Sequence, residues 1–293
     1  MSQLYQAIGR SKQGVHQWLN RELKRRDEQM QLIRVIEQIR EDHPRLSCRE
    51  IYFMIKPRYM GRDRFEKFCY GNGYKLDTKK NVYKTTNNLG VKRFNNYLLD
   101  LDELTCVNQV WISDITFYQI RDKVYYLTFI TDLYSRMIVG YSASKTLLTI
   151  DTTIVALRMA KRVRKIGENS NLIIHSDGGG QYYSIVFLRL TKGMINSMGE
   201  AVYDNPHAER VNGIIKNDYL KYYAPDSYQD LKKKLTKAVY LYNNQRPHSS
   251  LSRLSPATFE HLVEEGLLTK TWVINKKKKV GKKEKVNIYI TSK

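Results

Sequence analysis

Only three of the 293 residues are cysteine, Cys48, Cys69 and Cys106, and no C-x-x-C pair occurs among them. An odd, unpaired set excludes a disulfide framework and a thiolate zinc site, and it suits a reducing compartment. No run of about 18 apolar residues is present, so a membrane span is not expected. The opening MSQLYQAIGRSKQG lacks the apolar stretch of a secretory signal. A soluble, cytoplasmic protein is therefore expected. Acid is scarce too: 29 Asp and Glu face 50 Lys and Arg, giving a net charge of +21. Such a field draws polyanions, and with 22 tyrosines available to pack and stack it suits nucleic acid better than a membrane surface. A merely soluble basic protein is the reading that charge alone leaves open.

Residues 1–42 read as helical. Gly9 and Ser11 mark a break and a cap, and Ile8, Val15, Trp18 and Leu19 form the expected packed side. This pattern suits a helix-turn-helix unit, whose second helix would present Ser11, Lys12, Gln13, His16 and Gln17 to a major groove. A solvated amphipathic helix pair is the alternative. Lys24, Arg25 and Arg26 then lead into a longer helix. Residues 43–100 hold a small helical segment, with Leu46, Ile51, Tyr52 and Ile55 at helical spacing until Pro57, followed by a helix over Arg62 to Tyr70. A polar, basic linker expected to track DNA completes this part.

From residue 101 the period changes. QVWISDITFYQI, KVYYLTFITD and MIVGYSAS predict three strands in a meander, TIDTTIVALRMAKRV a helix, NLIIHSD a fourth strand and INSMGE a fifth. The succession predicts an α/β fold, a mixed sheet covered by helices, over residues 101–225. Residues 226–266 carry further helices, and 267–293 form a Lys-rich tail, most simply a flexible arm drawn to phosphates.

Three acids stand out against this background. Asp114 interrupts an apolar strand between Ile112 and Ile115, where a charge is costly without a metal or partner. Asp177 ends the run LIIHS just before three glycines, at the C-terminal edge of a strand, where open α/β sheets place ligands. Glu209 follows Asn205 and Pro206, a cap and first-turn pair. On that helix Glu209, Asn212 and Lys216 share a stripe beside the apolar Ala208, Val211 and Ile215. Carboxylates without a thiolate or imidazole cage suit Mg²⁺. Two such ions would serve phosphodiester chemistry, with Mn²⁺ as a substitute.

Each acid also has a plainer reading: an Asp bonded to backbone at a sheet margin, a Gly-rich turn, a solvated salt-bridged helix face. Asp132 reads as a turn residue bonding its own backbone, and His175 as a packed strand residue. Arg246 and His248 could contact phosphate, although a helix C-terminus attracts cations as well.

In their order, QVWISDITFY, DLYSRMIVGY, HSDGGGQYY, AERVNGIIKNDYL and YNNQRPHSSLSRLSP resemble the catalytic subunits of bacterial insertion-sequence transposases of the Asp-Asp-Glu, retroviral-integrase-like type. The resemblance covers residues 43–262. It implies a ribonuclease-H-like five-stranded core preceded by small helical DNA-binding segments, with Asp114, Asp177 and Glu209 as catalytic and metal-binding triad. Lys216 would bind terminal DNA, and Asn212, Lys12, Gln13, Gln17 and Arg246 complete the candidate DNA contacts. Thirty-two positions separate Asp177 from Glu209, fewer than the family's familiar spacing, which leaves Glu200 and Asp204 as alternative third acids. The implied activity is cleavage and strand transfer at terminal inverted repeats, through a circular intermediate. The implied assembly is a homo-oligomer on DNA, with an upstream-frame DNA-binding product as a further partner. A catalytically inactive DNA-binding protein and a purely hydrolytic nuclease are the competing readings.

Overall fold

The computed structural model describes residues 9, 11–77, 94–167, 170–199 and 206–274. The stretch before Gly9, the basic linker from 78 to 93, the alternative acids Glu200 and Asp204, the cap Asn205 and the tail beyond 274 lie outside them. The chain divides into two compact units, Met1–Lys75 and Leu76–Lys293.

In the first unit one helix runs unbroken over Lys12–Asp42. The Ser11 side chain caps it by accepting from the Gly14 amide at 3.1 Å, as its position predicts. Helices follow over Cys48–Ile55, capped by Ser47, and Arg62–Gly71. Leu32, Ile36, Leu46, Ile51, Phe65 and Cys69 form their shared core. The expected packed side at the start of the long helix is corrected: Trp18 is 49% exposed and Leu19 42%. Nothing among the described residues covers them, and their expected partner Ile8 is not among those residues. The core that orders this unit gathers on the later turns, at Leu32 and Ile36.

In the second unit a short strand β1, Glu103–Leu104, precedes β2 (Val110–Ile120), β3 (Lys123–Asp132) and β4 (Ile138–Ser144). The last three form the expected antiparallel meander. A helix over Thr153–Arg164 leads to β5 (Ile173–Ser176), which pairs parallel with β2, and β6 (Ile195–Met198) pairs parallel with β5. The sheet order is β4-β3-β2-β5-β6. This is the mixed five-stranded, ribonuclease-H-like sheet with flanking helices that the resemblance implies.

Strand alternation divides the core into two layers. Trp111, Ile130 and Val139 face the Thr153–Arg164 helix through Ile154, Leu157 and Ala160. Phe129, Leu127 and Ile138 face the helices Pro206–Ile214 and Tyr228–Asn244 through Val211, Leu235 and Ala238. Asn243 ties the second of these helices to β4, its amide giving to and taking from the Ile138 backbone at 2.9 Å each. A helix over Pro256–Glu264 holds Glu260, whose buried carboxylate meets Arg164 in two parallel bonds, one of them 2.8 Å. The tail begins later than its composition predicts. Trp272–Val273 forms a strand, β7, paired antiparallel with β1, because Trp272 and Ile274 pack beside Leu104 and Leu268.

Gly140 on β4 is where the Thr153–Arg164 helix comes closest to the sheet. A Cβ there would collide with the Ala156 carbonyl and lie 2.9 Å from the Ala160 methyl. Gly140→Ala should cost about 1–3 kcal/mol through overpacking. Urea denaturation measures this, and an unchanged midpoint would show that the helix can move away freely.

Candidate active site

The parallel register of β2 and β5 builds the site. Its last pair is Ser113 with Ser176, so the next positions, Asp114 and Asp177, are neighbours on adjacent strands that lie about 4.8 Å apart. β5 ends at Ser176, and Gly178 turns the chain away at φ +82, a conformation that favours glycine. The Gly179 amide donates to the Asp177 carboxylate at 3.1 Å.

Asp114 lies on the even face of β2 with Ile112, turned toward the Pro206–Ile214 helix. Asn212 on that helix donates its amide to Asp114 Oδ2 at 2.5 Å, and the Ile115 amide holds Oδ1 at 2.9 Å. One turn later Lys216 Nζ donates to Thr116 Oγ1 at 2.7 Å. Four helical residues rise about 6 Å and two strand residues about 6.6 Å, so both links form along one parallel track. After Ile214 the helix widens into a π-helical stretch over Ile215–Leu220, a distortion that often marks functional sites.

Glu209 sits in the first turn of the helix, exposed, one turn before Asn212. Its charge reaches Asp114. Burial, the charge of Asp177 and then that of Glu209 push the Asp114 carboxyl up to about 7, against the opposing pull of the Ile115 and Asn212 donors. Burial also raises Asp177, with the Gly179 amide opposing. Asp177 as a residue is solvent-exposed, so only its recessed carboxylate feels that desolvation, and solvent damps it. Beneath the pair Ser113 Oγ and the Tyr182 hydroxyl bond at 2.9 Å, and burial holds that phenol neutral, well above its ordinary pKa.

Among the described residues no three acids, histidines or cysteines are gathered closely enough to form a ready-made metal cage. The donor set nevertheless fits a hard divalent ion. Asp114 and Asp177 adjoin, with no cation among the named influences on either carboxyl within the described residues, and Asn212 Oδ1 is buried without a donor next to Asp114.

Two candidate DNA contacts have partners within the protein. Arg246 turns inward, bonding Asp218 at 2.9 Å with its guanidinium 5.7 Å from the Tyr219 ring centroid, because the π-helical stretch buries that acid and needs a cation for it. Asn212 is buried and donates to Asp114, so in this structure it orients a carboxylate. Lys12, Gln13 and Gln17 are exposed on their helix. Asp132 is the last residue of β3, and its side chain bonds backbone as expected, accepting from the Asn108, Tyr134 and Ser135 amides at 2.6, 2.9 and 3.1 Å. His175 is packed and meets Ser197 Oγ at 3.0 Å. Sequence reasoning missed the Ser113–Tyr182 pair, since a tyrosine after a Gly-rich turn carries no signal of the strand it will meet.

The integrase core domain matches residues 105–194 and, in a second segment, 195–256. The IS600 insertion-element protein of Shigella sonnei is 30% identical over 271 residues, covering 87% of this chain and 96% of that protein. The chain belongs to the integrase-core family of insertion-sequence transposases. The transposase for IS904 of Lactococcus lactis is 25% identical over 73% of this chain and 92% of its own length. Among solved structures, the HTLV-2 integrase catalytic core domain in complex with magnesium is 24% identical, with a TM-score of 0.43 over 53% of this chain and 96% of that one.

A raised carboxyl pKa means that the folded protein binds more protons than the unfolded chain between about 4 and 7, so stability falls as pH rises through that window. Without divalent metal the Asp114 contribution should reach at most about 1.4 kcal/mol per pH unit. Asp114→Asn should flatten the fall, and Mg²⁺ at pH 8 should raise the melting temperature of the wild type but not of the variant. Superimposable melting profiles for the two proteins, with and without Mg²⁺, would rule out this account of the acid pair.

Proposed function

We propose that Asp114, Asp177 and Glu209 are the catalytic triad and hold two divalent ions, Mg²⁺ with Mn²⁺ as substitute. In this role the transposase cleaves one strand at each terminal inverted repeat of its own insertion sequence and joins the freed 3′-hydroxyl to a second phosphodiester. The observation that supports this reading most is the adjacency of Asp114 and Asp177 across β2 and β5, with Asp114 short of compensating charge. Two divalent ions, when bound, would lower the pKa of the attacking water or hydroxyl and stabilise the leaving oxygen. Asn212 and the Ile115 amide fix the orientation of Asp114, and the Gly179 amide fixes that of Asp177. Lys216, held beside Thr116 on the same track, is poised to meet a backbone phosphate.

The exposed Lys12, Gln13 and Gln17 extend the DNA footprint, and a multimer would bring two ends together, with an upstream-frame product as a further partner. No helix among the described residues is long and apolar enough to cross a membrane. Work on the element's DNA would place the protein at the nucleoid.

Labelled end DNA incubated with the protein and Mg²⁺ should give joined products. Asp177→Asn should reduce them below about one-thousandth, a loss of about 4 kcal/mol of transition-state stabilisation. Retained joining by the variant would refute the site. Wild-type cleavage without joining would indicate a hydrolytic nuclease, and binding alone a DNA-binding protein.

A further inference from the structure

A second polar site lies on the same face of the sheet. A cavity of about 70 Å³ opens between the start of β2 and the Pro206–Ile214 helix, lined by Arg136, His207, Arg210 and His248 with Ile112 in its wall. Among the described residues no carboxylate lines it. Water needs about 10–15 Å³ by this measure, so several waters or one small oxyanion fit.

Among the described residues the one acid whose charge reaches Arg136 is Asp132. Arg136 Nη1 is 3.1 Å from His207 Nδ1, and its guanidinium lies 4.8 Å from the Trp272 ring centroid. Among the described residues neither Arg136 nor Arg210 makes an ion pair. The nearby acids are engaged, Asp132 by three backbone amides and Asp218 by Arg246. His248 Nε2 is buried with no hydrogen-bond partner. Burial, then the charges of Arg246, Arg210 and Arg136, push that imidazole down to about 3, and burial pulls Arg136 down to about 10. The half-buried Arg136, with the exposed Arg210 on the same polar cavity, is costly unless an anion completes it, and guanidinium forks match tetrahedral oxyanions.

We propose that the Arg136–His207–Arg210–His248 cavity binds a phosphate group. Position favours a phosphate of the DNA backbone, an assignment that rests on the proposed reaction at the acids. Ile112 and Asp114 are alternate residues on one strand face, about 6.6 Å apart. Duplex DNA rises 3.4 Å per nucleotide, so a strand whose reacting phosphate meets the acids can set a phosphate one or two nucleotides along in the cavity.

The full-length protein without divalent metal should show a saturable rise in melting temperature with inorganic phosphate, against chloride at equal ionic strength. Arg210→Gln, on an exposed side chain that leaves folding intact, and Arg136→Gln should each weaken it about tenfold or more. Asp114→Asn should leave it unchanged. End duplexes carrying one neutral methylphosphonate, stepped along the strand, then distinguish the sources. A tenfold loss of binding at one position in the wild type, absent in Arg210→Gln, assigns a DNA phosphate. A variant-sensitive phosphate response with no such position supports the cavity with a free phosphate as its ligand. Equal phosphate responses in the wild type and both variants would overturn the proposal. Loss of strand transfer with an intact phosphate response would fault the triad and leave the cavity standing.

Discussion

The site depends on one pairing, the parallel register of β5 against β2. Four residue pairs, Val110 with Ile173 through Ser113 with Ser176, bring Asp177 beside Asp114 although 63 positions separate them in the chain. A slip of one residue would turn Ile112 and Asp114 to the opposite face and bury the acid against Leu157 and Ala160. The apolar alternation along β2 therefore sets the chemistry as well as the core. The Thr153–Arg164 helix, in the crossover from β4 to β5, packs down at Gly140 and makes the parallel return beside β2 possible.

Charge is distributed unevenly around this register. Buried acids elsewhere are fully engaged: Glu260 with Arg164, Asp218 with Arg246, Asp132 with three backbone amides. At the edge where β2 and β5 carry Asp114 and Asp177 the carboxylates adjoin one another, with amide donors and, among the described residues, no cation named beside them. At the cavity beside it the cations adjoin with no carboxylate in the lining among those residues. Low-dielectric surroundings make both arrangements costly in the free protein. Metal at one and phosphate at the other would each relieve the strain of like charges.

The strands were legible because period-two alternation and β-branched, aromatic residues leave few alternatives: the expected 123–132 run is observed without change. Helix phase correctly placed Glu209, Asn212 and Lys216 on one side, and Asn212 and Lys216 both reach β2. Their tasks were less legible. Asn212 reads as a polar contact for DNA until the strand opposite is known to hold Asp114. Arg246 reads as a free cation until the π-helical stretch turns Asp218 toward it. Trp18 and Leu19 fit a helical stripe, but a stripe does not say whether a neighbour covers it. Trp272, in a run dominated by lysine, gave no composition signal of its antiparallel pairing with Leu104.

By itself the sequence determined the element types, the order of the motifs and the three acids, because periodicity, capping residues and local charge cost are properties of short segments. Only the tertiary structure decided what those acids feel and what surrounds them. The raised Asp114 carboxyl, the Asn212 clamp and the cation-lined cavity bring together side chains as much as roughly 60 to 140 positions apart. Coulomb interaction and desolvation depend on distance through space, and chain separation carries no record of it.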